Sequence, residues 1–261
     1  MRRVNVLVFD IETVPDIASG RRLYGLDGCS DAEIANAMFA LRRQESEGRT
    51  DFLRHHLHRI VAIAAVLRRD DRLTVWSLGD LDSDEAELIG RFYEGIERFT
   101  PTLVSWNGSA FDLPVLHYRA LLHGIAAPRY WECGDDDPAF RYNNYLNRFH
   151  YRHTDLMDIL SGYQARAASG LDEVALLLGF PGKQGMRGAE VWTRYQTGEL
   201  AAIRDYCERD VLNTYLIYLR FELMRGRICA AGYRLEYERL RDWLAAEAKP
   251  HLKAFLESLP A

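Results

Sequence analysis

Residues 4–13, Val-Asn-Val-Leu-Val-Phe-Asp-Ile-Glu-Thr, combine a nearly continuous apolar run with two acids at its end. Such a run is typical of a strand that is buried on both faces of a sheet. Side chains two apart in a strand share a face, so we expect Asp10 and Glu12 to lie together where the strand leaves the core. Each carboxylate raises the cost of ionising the other unless a cation lies between them. The segment predicts a divalent-metal site, with two solvated surface acids as the alternative.

Residues 103–116 repeat this order, with a short apolar strand, a Gly/Ser turn and a helix start. In open α/β sheets, ligands bind beyond the carboxyl ends of the strands, where Asp112 is expected. Pro114 suits the first turn of the helix, and Asp112 just before it can instead cap free backbone N–H groups. On this segment alone, capping explains Asp112 better than metal binding does.

Residues 203–216 place their apolar side chains at helical spacing. Tyr206 and Asp210 are four residues apart, so they project from one side of the helix within reach of a shared ligand. Asp205 and Glu208 flank this pair but point elsewhere on the helix. We expect these two acids to be solvated charges.

Together, the three segments resemble the three motifs of the DEDD superfamily of 3′-to-5′ exonucleases. The tyrosine in the third motif is that of the DEDDy branch, and the first motif looks most like detached exonucleases related to the proofreading domain of family-B DNA polymerases. The resemblance runs from about residue 4 to residue 220. The motifs correspond here to Asp10-x-Glu12, Asn107-x-x-x-Phe111-Asp112 and Tyr206-x-x-x-Asp210.

The resemblance implies an enzyme that removes nucleoside monophosphates from the 3′ end of single-stranded nucleic acid. Two divalent cations, Mg²⁺ or Mn²⁺, roughly 4 Å apart would activate a water and neutralise charge on the phosphate. Such cations prefer carboxylate and water oxygens. The implied metal ligands are Asp10, Glu12, Asp112 and Asp210, and the implied catalytic set adds Tyr206, which would hydrogen-bond the attacking water.

Substrate contacts are expected in two places. The resemblance implies contacts from Thr13, Asn107 and Phe111. Residues 140–152 interleave aromatic and cationic side chains and contain no acid, a composition that suits the stacking and phosphate contacts of a single strand. We predict that Arg141, Tyr145 and Arg148 grip the strand several nucleotides from its end, with inward-packed aromatics as the alternative. The net charge of −5 does not itself indicate nucleic-acid binding.

Three further features leave choices open. Asp155 either holds substrate or a metal-bound water, or caps the helix that begins near Leu156, and we favour the cap. Lys183 lies in a glycine-rich loop that is not a triphosphate-binding loop, because Gln184 stands where Ser or Thr is required. Lys183 therefore either contacts a phosphate or turns the chain.

The four cysteines lack Cys-x-x-Cys spacing, which argues against a zinc site and fits reduced thiols.

The expected architecture is an α/β ribonuclease-H-like fold, with a mixed central sheet flanked by helices. At 261 residues and 48% apolar composition, the chain can bury one full α/β core. We therefore expect residues 1–261 to form a single exonuclease domain. Its predicted parts are a helical insertion at 17–58, a hairpin of 60–67 and 73–78, a helix at 84–99, and C-terminal helices at 226–261 packed on the core.

The sequence also leads to expectations about cellular location and substrate class. No apolar run approaches the length of a membrane span, and the N-terminus does not read as a signal peptide, so we expect a cytoplasmic protein with no membrane partner. Similarity to the proofreading domain favours DNA over RNA by fold-level analogy. The alternatives are a 3′-5′ exoribonuclease and a degenerate exonuclease fold that only binds nucleic acid. The second is disfavoured because every motif position carries a competent residue.

Overall fold

The computed structural model describes residues 5–183 and 185–260. Val4, with which the predicted first strand begins, and Gln184 lie outside these residues. Within them, a five-stranded mixed sheet has the order β3-β2-β1-β4-β5. Its strands are β1 (Val6–Pro15), β2 (His58–Arg69), β3 (Arg72–Ser77), β4 (Thr102–Ser105) and β5 (His153–Asp155).

The first strand lies at the centre of the sheet. It pairs antiparallel with β2 and parallel with β4, and β4 pairs parallel with β5. Helices cover both faces of β1, which explains why its composition is almost wholly apolar. The predicted α/β layout is confirmed, and the sheet is consistent with a ribonuclease-H-like fold.

Helices connect and flank the strands. Four 3₁₀ turns lie at 55–57, 138–140, 165–167 and 188–190. The α-helices are α1 (Ile17–Tyr24), α2 (Asp31–Glu45), α3 (Glu85–Phe99), α4 (Asp112–His123), α5 (Pro128–Trp131), α6 (Leu156–Leu160), α7 (Leu171–Leu177), α8 (Val191–Gln196), α9 (Leu200–Met224), α10 (Ala230–Ala246) and α11 (Pro250–Glu257). No helix in the described part of the chain is long and apolar enough to cross a membrane.

Two hydrophobic clusters cover the sheet. One contains residues of α3 and α4, and the other contains residues of α7 to α11, including Leu240 of α10 and Phe255 of α11.

The hairpin of β2 and β3 turns through Asp70, whose φ of 51° is left-handed, a conformation that Asp tolerates. Helix α3 begins after Asp84, which caps it by accepting a hydrogen bond from Glu87 N.

The segment between β1 and β2 is helical, as predicted, and has a small core of its own. Buried side chains of α2 and of residues 53–57 form that core. Gly20 of α1 lies so close to α2 that an added Cβ would be 2.3 Å from Met38 Sδ. The start of the insertion is fixed to the main body by a buried ion-pair network in which Arg119 binds both Asp16 and Glu85.

Glu208 corrects one expectation, because it is 2% exposed rather than solvated. Its carboxylate accepts hydrogen bonds from Ser77 N at 3.0 Å and from Lys249 Nζ at 2.8 Å, and lies 2.8 Å from His251 Nε2. Burial acts to raise the pKa of Glu208, but hydrogen bonds from His251, Lys249 and Ser77 outweigh it and lower the pKa to about 2. Glu208 therefore joins α9 to β3 and α11. Asp205, by contrast, remains partly exposed.

Replacing Glu208 by Ala should lower the free energy of unfolding by about 2 kcal/mol, because the buried Ser77 N–H loses its acceptor. The folded-state pKa lies below the unfolded one, so this contribution is present above about pH 4 and is lost as pH falls toward 2. Urea unfolding at pH 7 and pH 3 measures both effects. Glu238→Ala, at an exposed position of α10, is the control. Equal losses for the two variants would contradict the role given to Glu208.

Candidate active site

Asp10 and Glu12 lie on one side of β1, beyond the part of the strand that pairs with β4. Ligand atoms of Asp10, Glu12 and Cys207 all lie within 4.8 Å of one another. Immediately after Glu12 the register of β1 against β2 shifts, an irregularity of the kind that redirects side chains beside active sites. The predicted pairing of the first-motif acids is therefore present in the structure.

Asp112 joins this site from the start of α4. Its Oδ1 accepts a hydrogen bond from the backbone N–H of Ile11, which lies between Asp10 and Glu12, at 3.1 Å. The N-cap position of α4 is Phe111, which makes no side-chain cap. Asp112 thus ties α4 to β1 rather than serving as the N-cap. Burial raises its pKa to about 7, in spite of the backbone hydrogen bonds that it accepts.

Helix α9 supplies Tyr206 and Asp210 one turn apart, and both are buried. Asp210 Oδ2 lies 3.0 Å from Lys183 Nζ. Asp210 Oδ1 is buried and has no hydrogen-bond partner among the described residues. A buried carboxylate oxygen without a donor is costly on its own and suits a cation ligand.

The carboxylates repel one another. Burial raises the pKa of both Asp10 and Glu12 well above the ordinary range, and the charges of neighbouring acids, including Asp210, raise it further. Four acids from three segments thus share one electrostatic site. Their oxygen donors fit the divalent cations that the resemblance implies, since such cations neutralise clustered carboxylates.

Cys207 contributes a neutral thiol to this cluster. Its Sγ lies 3.4 Å from both the backbone oxygen and Oδ2 of Asp10. Burial and then the Asp10 charge raise the pKa of Cys207 well above its ordinary value. The thiol therefore donates a weak hydrogen bond to Asp10 instead of acting as a thiolate ligand.

Lys183 is the site residue that sequence reasoning left undecided. Its Nζ donates to the Tyr206 hydroxyl and pairs with Asp210. Burial alone would lower the pKa of Lys183, but Asp210 and the first-motif acids raise it. The loop is held in place by Asn213, one turn beyond Asp210, which exchanges hydrogen bonds of 3.2 and 3.0 Å with the backbone of Gly182. No local sequence signal indicates this pairing, because the two partners are 31 residues apart.

Asp155 caps α6 and also holds the second-motif loop. Its carboxylate accepts hydrogen bonds from Met157 N at 3.1 Å and from the backbone N–H groups of Asn107 and Ser109 at 2.9 and 2.8 Å. Asn107 has a φ of 65°, a left-handed conformation that Asn tolerates. Both oxygens of Asp155 are thus engaged with the backbone. The favoured capping role is confirmed.

Thr13 and Phe111 lie beside the acids. Thr13 Oγ1 is 2.8 Å from His58 Nδ1. The Phe111 ring packs near Phe52 and His58, with ring centroids 5.3 and 5.2 Å apart. Asn107 is partly buried in the loop before α4. Thr13 and Phe111 follow and precede Glu12 and Asp112 directly in the chain, whereas Asn107 lies in the loop that Asp155 holds. The substrate contacts of all three residues stay a prediction.

Tyr145 does not lie where its predicted role requires. It is 2% exposed, stacks on Tyr130 with ring centroids 5.5 Å apart, and donates its hydroxyl proton to Pro101 O at 2.6 Å. The prediction that Tyr145 contacts a bound strand is wrong because its ring belongs to the core.

Arg141 and Arg148 are exposed, and the Arg148 guanidinium lies 4.4 Å from the Tyr163 ring centroid. Strand contacts by these two arginines stay a prediction.

Comparison with known families agrees with this arrangement. The sequence model of a family described as "Predicted 3'-5' exonuclease related to the exonuclease domain of PolB" matches residues 50–259. This chain belongs to that family. The matched range contains the second and third motifs, Asp112 and Asp210 among them, whereas Asp10 and Glu12 precede it.

Curated relatives are DNA polymerase epsilon catalytic subunits A. The one from Schizosaccharomyces pombe is 24% identical over 145 residues, and the one from Saccharomyces cerevisiae is 26% identical over 147 residues. Each alignment covers 54% of this chain and 6% of the relative. The family B DNA polymerase structure from Pyrobaculum calidifontis is 18% identical, has a TM-score of 0.48, and is matched over 93% of this chain and 28% of its own. This chain therefore spans a small part of each relative.

Divalent metal should stabilise the folded protein through the acid cluster. At a metal concentration about 100 times Kd, the expected gain is about 2.7 kcal/mol, seen as a higher Tm with Mn²⁺ or Mg²⁺ than with EDTA. Asp10→Asn should abolish the gain and raise the Tm of the metal-free protein, because one repelling buried carboxylate is gone. Asp27→Asn, at an exposed position, should change neither value. If Asp10→Asn kept the full metal-dependent rise in Tm, the assignment of Asp10 as a metal ligand would be contradicted.

Proposed function

We propose that the chain is a 3′-5′ exonuclease that hydrolyses the terminal phosphodiester of single-stranded nucleic acid, DNA rather than RNA. The observation that carries the proposal is the meeting of three sequence motifs in one acid cluster, where Asp210 Oδ1 has no hydrogen-bond partner among the described residues. Membership in a family related to the PolB exonuclease domain supports it. The likeness to DNA polymerase epsilon subunits supports the choice of DNA.

The metal ligands in this proposal are Asp10, Glu12, Asp112 and Asp210. Two divalent cations held there would supply an activated water and would neutralise charge on the phosphate oxygens. The protein's part is to hold four carboxylates in one place in a buried site. The backbone hydrogen bond from Ile11 to Asp112 and the thiol of Cys207 beside Asp10 fix two of these carboxylates.

Tyr206 orients the attacking water as a neutral phenol. Burial and then the charge of Asp210 raise its pKa well above the ordinary value, so the hydroxyl keeps its proton. Lys183 donates to the phenolic oxygen and thereby fixes where the hydroxyl lies. The same ammonium offsets part of the negative charge that an anionic substrate would meet at the acids.

Degradation of 5′-labelled single-stranded DNA and matched RNA tests the proposal directly. We expect a ladder that shortens from the 3′ end with Mg²⁺ or Mn²⁺, that is absent with chelator and with Asp10→Ala, and that is stronger on DNA. A ladder on RNA alone would indicate the exoribonuclease. Binding without cleavage of either strand in any metal would indicate the degenerate binding module and contradict the proposal.

Tyr206→Phe should lower kcat by roughly 10²-fold, because the water loses a positioning hydrogen bond. Metal stabilisation of the folded protein should stay near that of the wild type, since the phenol is not a ligand. Single-turnover cleavage and metal-dependent Tm separate the two effects. Loss of metal stabilisation in Tyr206→Phe would contradict the role given to the hydroxyl.

Arg148→Ala should weaken binding to single-stranded DNA and lessen the slope of log K against log salt by about 0.7, the value for one phosphate contact on a single strand. Arg72→Ala is the matched control, because Arg72 is exposed on β3 at the opposite edge of the sheet from β5. Titrations at four salt concentrations measure the slope. An unchanged slope in Arg148→Ala would exclude a phosphate contact by Arg148.

A further inference from the structure

The helical insertion forms one wall of a cavity that opens beside the acid cluster. The cavity has a volume of about 470 Å³ and is lined by the second half of β1, Glu12 included. Its walls come from the end of β1, from the insertion through Phe39 and Phe52, from Phe111, and from Trp192 of α8. A volume of this size suits one small organic ligand.

Phe52 is held in place although it is 54% exposed. Leu53 beside it is buried in the insertion core, and Arg42 Nε donates to the backbone oxygen of Phe52 at 2.9 Å. The ring packs near His58 and Phe111, with centroids 5.0 and 5.3 Å away. An exposed aromatic ring on a fixed backbone is a platform for another flat ring.

The charges of the cavity show which part of a nucleotide it suits. Among the described residues that line it there is no Arg or Lys, and Glu12 and Asp51 are acids. His58 is neutral, since burial lowers its pKa to about 4, and its two ring nitrogens lie within hydrogen-bond distance of Thr13 Oγ1 and Leu53 O. The aromatic walls therefore favour an uncharged ring, and a phosphate is favoured only at the Glu12 end, where a cation would bind.

We infer that Phe52, supplied by the insertion, is a positioning residue of this site and determines how strongly the base of the 3′-terminal nucleotide is held. The inference rests on the proposed exonuclease function and deepens it. A base–aromatic contact increases with ring area, so terminal purines gain more from Phe52 than terminal pyrimidines do. A terminal residue without a base gains nothing from it.

The test compares two 5′-labelled single-stranded DNAs that differ only in the last residue, deoxyadenosine or an abasic sugar. Phe52→Ala should lower kcat/KM for release of the terminal deoxyadenosine nucleotide by about tenfold and leave release of the abasic residue unchanged. Phe52→Trp should retain the wild-type preference. Leu23→Ala, at an exposed position of α1 outside the cavity, should behave as the wild type on both strands.

Equal losses on both strands, or no loss on either, would overturn the inference while the exonuclease activity stood. Absence of cleavage by the wild type would contradict the proposed function instead.

A second measurement is independent of cleavage. With Ca²⁺ present, dAMP should quench the fluorescence of Trp192, with an affinity about tenfold weaker in Phe52→Ala and the signal lost in Trp192→Phe. Unchanged affinity in Phe52→Ala would also overturn the inference.

Discussion

Repulsion among the clustered carboxylates of β1, α4 and α9 is the constraint on which the rest of the site depends. Burial and mutual charge raise the pKa of Asp10 and Glu12 well above normal, so positive charge nearby is needed to keep both acids ionised. Lys183 supplies one such charge, beside Asp210. Asp210 Oδ1 has no hydrogen-bond partner among the described residues and is a donor that a cation could use. The acid cluster is therefore the metal site that we propose.

Each layer of the fold contributes one part of that site. The central strand β1 carries its acids just beyond the point where its pairing with β4 ends. Helix α4 is tied to the same strand by Asp112, and α9 crosses the sheet with Asp210 and Tyr206 on its buried side. The insertion adds a wall through Phe52 to the cavity that Glu12 also lines. In the proposed function, catalysis and recognition of the strand end thus depend on neighbouring groups from different segments.

Local signals predicted much of this structure. The apolar run of β1, the hairpin, the helix at 84–99 and the spacing of Tyr206 and Asp210 depend on periodicity, which a sequence displays directly. Three placements depend on packing between distant segments and had no such signal. The loop with Lys183 is anchored by Asn213, Glu208 is buried by Ser77 and Lys249, and Tyr145 stacks in the core on Tyr130. Alternating aromatics and cations cannot by themselves show which side chains turn inward.

Anomalous diffraction from crystals soaked with Mn²⁺ tests the central claim most directly. The account predicts manganese peaks bounded by Asp10, Glu12, Asp112 and Asp210, with the Asp210 oxygen that now has no partner among the described residues serving as a ligand. Crystals of Asp10→Asn soaked in the same way should lose at least one peak. Absence of manganese at this cluster in the wild type, with Lys183 still paired to Asp210, would contradict the account.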